Sequence, residues 1–299
     1  MRPHYYSVNE YLRSEYGEKL YKLALNGGMS CPNRDGLIDT RGCIFCSAGG
    51  SGDFAGDAVG DIESAKALIA DKYKGSSFIA YFQSYTNTYA PVSYLRELYT
   101  RVIGRSEIKI LSIATRPDCL SDEIYGLLEE LVSIKPVWVE LGLQTIHENT
   151  ARYIRRGYSL DIYDEAVRRL KSIGIHVITH MIVGLPSEDA HDCIETARHI
   201  ASVHSDGIKI QLLHILKGTD LAKDYDNGLF DALSLEEYED ILGRVLEELP
   251  KDMVIHRITG DGPKKLLIAP LWSANKKFVM NSINTYLSTN NIIQGKIYS

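Results

Sequence analysis

Three cysteines fall within sixteen residues, Cys31, Cys43 and Cys46, in the segment Cys31-Pro-Asn-Arg-Asp-Gly-Leu-Ile-Asp-Thr-Arg-Gly-Cys43-Ile-Phe-Cys46. The C-x-x-C pair brings two sulfurs to one side, and the earlier cysteine closes the loop around whatever they hold. Three readings compete. A structural zinc site takes four ligands, and no local pair completes these three. Inert buried cysteines suit an apolar segment, whereas this one is polar and carries Gly36, Gly42, Gly49, Gly50 and Gly52, a backbone able to wrap closely around a bulky group. A [4Fe–4S] cluster held by three thiolates leaves one iron open to a substrate or cofactor. The other two cysteines read as ordinary: Cys193 lies on an apolar helical stripe and Cys119 follows the turn Arg116-Pro117-Asp118.

The elements around the loop alternate. Short runs rich in Ile and Val read as strands at Tyr21–Asn26, Ser77–Ser84, Ile108–Ala114, Val137–Leu143, Ile175–Val183 and Ile208–Leu213. They are apolar on both faces, as parallel strands covered by helices are. Between them lie helical patterns at Asp61–Tyr73, Val92–Ile103, Asp122–Val132, Ile162–Ser172 and Glu188–Val203, and Ser234 with Glu237 opens a further helix to about Leu249 as a capping box. The expected fold is α/β, an incomplete (β/α)6 TIM-type barrel of parallel strands over residues 1–250, with residues 251–299 as a C-terminal extension packed on it. The cysteine loop, residues 31–46, follows the carboxyl end of the first strand, where such folds build their sites.

Composition bounds the partners. With 33 Lys+Arg against 39 Asp+Glu the 299-residue chain carries a net charge of −6, unlike a strongly basic domain built to track a duplex, though a local basic funnel is allowed. Hydrophobic residues at 44% and charged residues at 24% match folded globular proteins. No apolar run approaches the ~20 residues of a membrane span, and the polar, aromatic start is no signal peptide, so the expectation is a cytoplasmic protein with no membrane partner.

A strand, a three-cysteine loop ending Cys43-Ile-Phe45-Cys46 and a run of β/α units together resemble the radical S-adenosylmethionine (radical SAM) superfamily. The long spacing between Cys31 and Cys43 narrows the likeness to its YtqA/YhcC-like group, related to the elongator catalytic-subunit and coproporphyrinogen-dehydrogenase branches. Gln83-Ser-Tyr-Thr-Asn-Thr88, Thr115-Arg-Pro-Asp118, Glu140-Leu-Gly-Leu-Gln144, Arg155-Arg-Gly157 and Gly184-Leu-Pro186 contribute, in order and at strand ends. The resemblance implies a [4Fe–4S] cluster on Cys31, Cys43 and Cys46, and S-adenosylmethionine (SAM) chelating the open iron. It implies reductive cleavage of SAM to a 5′-deoxyadenosyl radical that abstracts a substrate hydrogen. A reductant protein such as flavodoxin or ferredoxin would supply the electron.

The resemblance also distributes roles. Gln83, Ser84, Tyr85 and Thr86 match the segment that meets the methionyl amine, with side chains where relatives carry glycines. Glu140 and Gln144, four apart on one face of a strand, and His180 join them; Gln144 falls near the ribose. Arg156 falls near the SAM carboxylate, with Arg155 its competitor. Ala114 stands where related branches place a glutamate. Gln211 and His214 can face SAM or substrate, Gly184-Leu-Pro186 is a turn with a possible adenine contact, and the dense run from Ile255 to Lys265, with His256, Arg257, Asp261, Lys264 and Lys265, can wall the mouth and meet an anionic substrate. Relatives suggest modification of a nucleobase, such as a tRNA wobble uridine; a small-molecule or peptide substrate stands beside it, and a zinc-stabilised nucleic-acid-binding module is the non-catalytic rival.

Overall fold

In a computed structural model of the chain, which describes residues 3–50, 58–260 and 262–298, strands and helices alternate along almost the whole length. In chain order these are α1 (Val8–Tyr16), β1 (Tyr21–Leu25), α2 (Ile62–Ile69), β2 (Phe78–Phe82), α3 (Val92–Ile103), β3 (Ile108–Thr115), α4 (Asp122–Val132) and β4 (Val137–Gln144). There follow α5 (Glu148–Tyr153), α6 (Leu160–Ser172), β5 (His176–Val183), α7 (Ala190–Ser202), β6 (Gly207–Leu212), β7 (Ile215–Leu216) and α8 (Asp220–Asp226). The last are α9 (Leu235–Glu248), β8 (Val254–Arg257), β9 (Leu267–Ala269) and α10 (Lys276–Thr289).

Strands β1 to β6 and β8 form one sheet in sequence order, every neighbouring pair parallel, curled into a partial TIM-type barrel. All six expected strands are present within a residue or two of their expected bounds. The sheet has a seventh, β8, drawn from the stretch read as extension. The reason is local: β8 is only four residues long and runs straight into a glycine turn, too little for a pattern. The helix opened by Ser234 is therefore the crossover from β6 to β8. Both halves of its capping box form, the Ser234 hydroxyl accepting from Glu237 N at 3.2 Å and the Glu237 carboxylate from Ser234 N at 2.8 Å. Ser234→Ala is expected to cost about 1 kcal/mol, read as a lowered urea midpoint with an unchanged denaturant slope.

The outer helices bury one stripe each, Leu95, Leu98, Tyr99, Val102 and Ile103 on α3, for example, against strands buried on both faces. Each such side chain removed from water contributes roughly 1.5–3 kcal/mol before entropy is counted. Inside the barrel the residues stack in layers. The lowest is apolar: Ile79, Ile110, Trp138 and Ile178 close against Leu12 and Tyr11 of α1, which plugs the amino-terminal end. Strand β8 is in turn latched by the segment before α1, since Ile255 N donates to Tyr6 O at 2.8 Å. Tyr6 N donates to Gln294 Oε1 at 2.8 Å and Gln294 N to His4 O at 2.9 Å, so residues 4–7 and 292–294 hold each other. Strands β7 and β9 pair antiparallel at the opposite, carboxyl end. Among the described residues no helix is long and apolar enough to cross a membrane.

Candidate cofactor cavity at the strand carboxyl ends

The cysteine loop leaves β1 and folds back over the sheet as a series of tight turns. Arg34 N donates to Cys31 O at 2.8 Å, Cys46 N to Cys43 O at 3.0 Å, and Gly42 N to Asn33 O at 2.7 Å. Gly42 has φ +78°, and a Cβ there would lie 2.9 Å from the Arg34 guanidine. Gly50, at φ +57°, lies so close to Tyr85 that a Cβ would fall 2.3 Å from its ring, while Tyr85 N donates to Gly50 O at 2.9 Å. Gly52 and Asp261 lie outside the described residues. Ile44 seats the loop in an apolar cluster with Ile154, Leu185, Leu213 and Leu221. Backbone bonds from Ile44 N to Ile154 O (3.2 Å) and from Leu221 N to Ile44 O (3.1 Å) complete the seat.

This places Cys31, Cys43 and Cys46 on the wall of one cavity of about 320 Å³ over the strand ends. Cys193 is buried in the core and Cys119 stands beside a separate groove, so cysteine offers this cavity three thiols and no fourth. Burial pushes the Cys43 thiol up to about 11, partly offset by the Arg116 charge and by Asn33 Nδ2, 3.4 Å from its sulfur. Cys119 and Cys193 are pushed up to about 12, chiefly by burial.

Gln83, Tyr85, Thr86, Glu140, Gln144, Arg156 and His180 line the same cavity; Ser84 is buried beside it and does not. Asn87 and Thr88 are spent on structure, Asn87 Nδ2 donating to Ala114 O at 2.9 Å and Thr88 Oγ1 to Cys119 O at 2.7 Å. Gln144 ends β4 at a register shift, with φ +70°, and its Oε1 is buried without a hydrogen-bond partner. The arginine pair separates. Arg155, at φ +59°, turns its guanidinium to Asp220 (2.8 Å), away from the cavity. Arg156 is buried in the wall, its Nε donating to Tyr158 O at 2.9 Å and Nη1 to Thr145 O at 2.6 Å. Gln211 and His214 also line the cavity, as do Arg257, Gly260, Gly262 and Pro263 of the carboxyl-terminal run. His256 packs instead edge-on to Trp138, and Gly184-Leu-Pro186 does not reach the cavity.

The floor is a charge network. Glu140, fully buried, accepts from Lys22 Nζ (3.1 Å), Ser112 Oγ (2.9 Å), His180 Nε2 (2.8 Å) and Lys209 Nζ. Burial alone would raise its carboxyl, but Lys209 and Lys22 hold it well below the usual carboxylate range. Burial pushes Lys209 down to about 7 and His180 to about 4, against the pull of Glu140 on both. Lys209 also reaches Tyr81 Oη at 3.0 Å. Sequence reasoning missed Lys209, and a signal was there: it alternates with Gln211 on an Ile-rich strand, so it had to face inward. Arg116, part of a quoted motif but given no role, is buried in the wall. Burial opposes its charge, but the Asp118 carboxylate, bound at 2.9 and 2.7 Å, keeps it raised. Arg34, Arg116, Arg156, Lys209 and Arg257 line the cavity with one carboxylate, Glu140, among the described residues, while Asp118 bridges Arg116 and Glu148 bridges Arg156 (3.4 Å) from outside it. The excess of cations suits an anionic occupant, and the three thiols with an unpartnered Gln144 oxygen suit an iron–sulfur centre with a polar ligand beside it.

A parallel partial barrel with a three-cysteine loop at its mouth defines a class, and the comparisons agree. The Radical SAM superfamily model matches residues 40–200 and the Radical_SAM C-terminal domain model residues 205–289. The chain belongs to the radical SAM superfamily. It is 46% identical to YtqA of Bacillus subtilis (strain 168) over 98% of this chain and 92% of that one. It is 36% identical to YhcC of Escherichia coli (strain K12) over 94% and 91%. Among solved structures it superposes on the Methanocaldococcus infernus Elp3 lacking residues 1–46 with a TM-score of 0.69 at 16% identity, a likeness of fold that covers 92% of this chain and 64% of that one.

Proposed function

We propose that the chain is an enzyme that binds a [4Fe–4S] cluster on Cys31, Cys43 and Cys46 and uses it to cleave SAM reductively, with a nucleobase of tRNA as the substrate class. The single observation that supports it most is the convergence of three thiols, and no more, on a cavity whose wall also carries the expected SAM-binding residues. Held by Cys31, Cys43 and Cys46, the cluster would supply the one-electron reducing chemistry that SAM cleavage needs. The protein's own work is orientation and exclusion of water. Arg156, its guanidinium fixed by carbonyls of Tyr158 and Thr145, offers a pre-set positive charge for the SAM carboxylate. Gln144 brings a polar atom still lacking a partner to the ribose. Gln83, Tyr85 and Thr86 present the turn that meets the methionyl amine, with Tyr85 pinned to the cysteine loop through Ala48 O at 2.6 Å. Glu140 and His180 serve the site from its floor, where Glu140 keeps Lys209 and His180 in fixed positions. Flavodoxin or ferredoxin is the proposed electron donor.

The test is anaerobic reconstitution with iron and sulfide. The expected result is an oxygen-sensitive brown protein containing acid-labile sulfide, which forms 5′-deoxyadenosine when reduced in the presence of SAM. Zinc without sulfide, and no 5′-deoxyadenosine, would move the assignment to a zinc-stabilised binding module.

A further inference from the structure

The chain's net charge of −6 conceals a sharp division. Residues 262–299 contain five lysines and no Asp or Glu, which leaves 28 basic against 39 acidic residues in all the rest. This acid-free segment begins in the cavity wall, at Gly262 and Pro263, and Lys264 and Lys265 follow at once, both exposed. A third exposed lysine joins them from another part of the chain: Lys217 N donates to Leu266 O at 2.7 Å, one residue after Leu216 in the wall. The β7–β9 pairing fixes the two stretches together. Other lysines differ in their partners: Lys66, Lys171, Lys223 and Lys296 each meet a carboxylate, and Lys74 and Lys135 donate to backbone carbonyls. No carboxylate of the described residues pairs with Lys217, Lys264 or Lys265.

We infer that Lys217, Lys264 and Lys265 form the phosphate-contacting surface for an RNA substrate whose target base enters the cavity. The inference rests on the nucleobase reading above and adds where the polymer is held. Three like charges close together, with no counter-charge among the described residues, repel one another; a polyphosphate backbone neutralises them and releases its own counterions. Two further features favour RNA over an acidic protein. The same acid-free segment leaves Phe278 exposed, an aromatic face on which a base stacks, and Leu271 exposed as plain apolar surface. Beyond Lys276, Lys277 and Phe278, the exposed positions of α10 carry Asn, Ser and Thr, donors and acceptors suited to sugar and phosphate. A contact of this size is local, which reconciles it with an acidic chain: the phosphates meet a few lysines at the mouth, and the extruded base does the rest.

The experiment uses the reconstituted full chain under anaerobic conditions. Binding of a fluorescent RNA stem-loop is followed by anisotropy between about 50 and 200 mM salt, for wild type and for Lys217→Gln/Lys264→Gln/Lys265→Gln. The expected result is affinity at least about tenfold weaker in the variant and a salt slope shallower by about 2, with SAM cleavage in the absence of RNA as in wild type. That unchanged cleavage shows that the variant is folded and loaded. Equal affinity and slope in the two proteins would overturn the surface and leave the nucleobase reading standing. A wild type that cleaves SAM yet binds no RNA at low salt would overturn both. A variant that binds RNA normally but has lost its response to flavodoxin would overturn the inference in favour of a reductant dock.

Discussion

Exchange of Cys43 for alanine is expected to remove the brown chromophore and to lower 5′-deoxyadenosine formation by at least about 10³-fold, to background. Two thiols cannot replace three at the corners of one cluster, and this cavity receives none from Cys119 or Cys193. The substitution should leave the fold in place. The loop is seated by Ile44 on either side of whose backbone Ile154 and Leu221 bond, and alanine keeps that backbone. Circular dichroism and the urea midpoint should therefore match wild type, and Cys119→Ala should retain chromophore and activity. Equal product from wild type and Cys43→Ala would end the assignment. The position of the Cys43 thiol adds a second readout. Burial holds it protonated to about pH 11 in the metal-free chain, so cluster uptake must displace that proton, and reconstitution should quicken as pH rises.

The second large effect is on stability. Glu140 is the carboxylate around which Lys22, Lys209, Ser112 and His180 are arranged, and Glu140→Ala leaves the buried Lys209 without a counter-charge. A loss of about 3–5 kcal/mol is expected from urea unfolding at neutral pH, with Glu140→Gln between that and wild type because it keeps an acceptor but not the charge. Acid should act in the same direction. His180 titrates near 4 in the fold against 6.5 when unfolded, so as pH falls through that window the unfolded chain takes up the proton first. The fold then loses up to about 3 kcal/mol from this one group. Glu140 contributes stability that is present above the ordinary carboxylate range and lost as pH drops through its depressed value. The wild-type urea midpoint should therefore fall from pH 7 to pH 5, and His180→Gln should flatten that decline. An unchanged midpoint across the range would show that the network does not carry this charge balance.

How much of this could be read beforehand follows from the strength of each local signal. The six long strands were legible because runs such as Phe78–Phe82 are apolar on both faces and are separated by helices of regular period. The cysteine loop was legible from residue type and spacing alone. β8 was not, because four residues beside a glycine turn carry no periodicity and gain their place only by pairing with β6. α1 was not, because its apolar side faces a barrel interior that exists only once the strands have closed. The choice between Arg155 and Arg156 turns on one residue with positive φ, which swings neighbouring side chains to opposite sides; no property of the two arginines announces it. Ser84 was expected in the site with its neighbours, but it lies in the bend after β2, buried beside the cavity that Gln83, Tyr85 and Thr86 line.

The bonds joining residues 4–7 to Ile255 and Gln294 impose an order on biogenesis. A ribosome delivers the plug long before the final strand it must grip and the glutamine that clasps it. Until the closing stretch emerges, the free edge of β6 and the underside of the sheet stay uncovered, an opening for misassembly or for a chaperone. Sealing the floor of this barrel therefore waits for Ile255 and Gln294, far downstream of the piece that seals it.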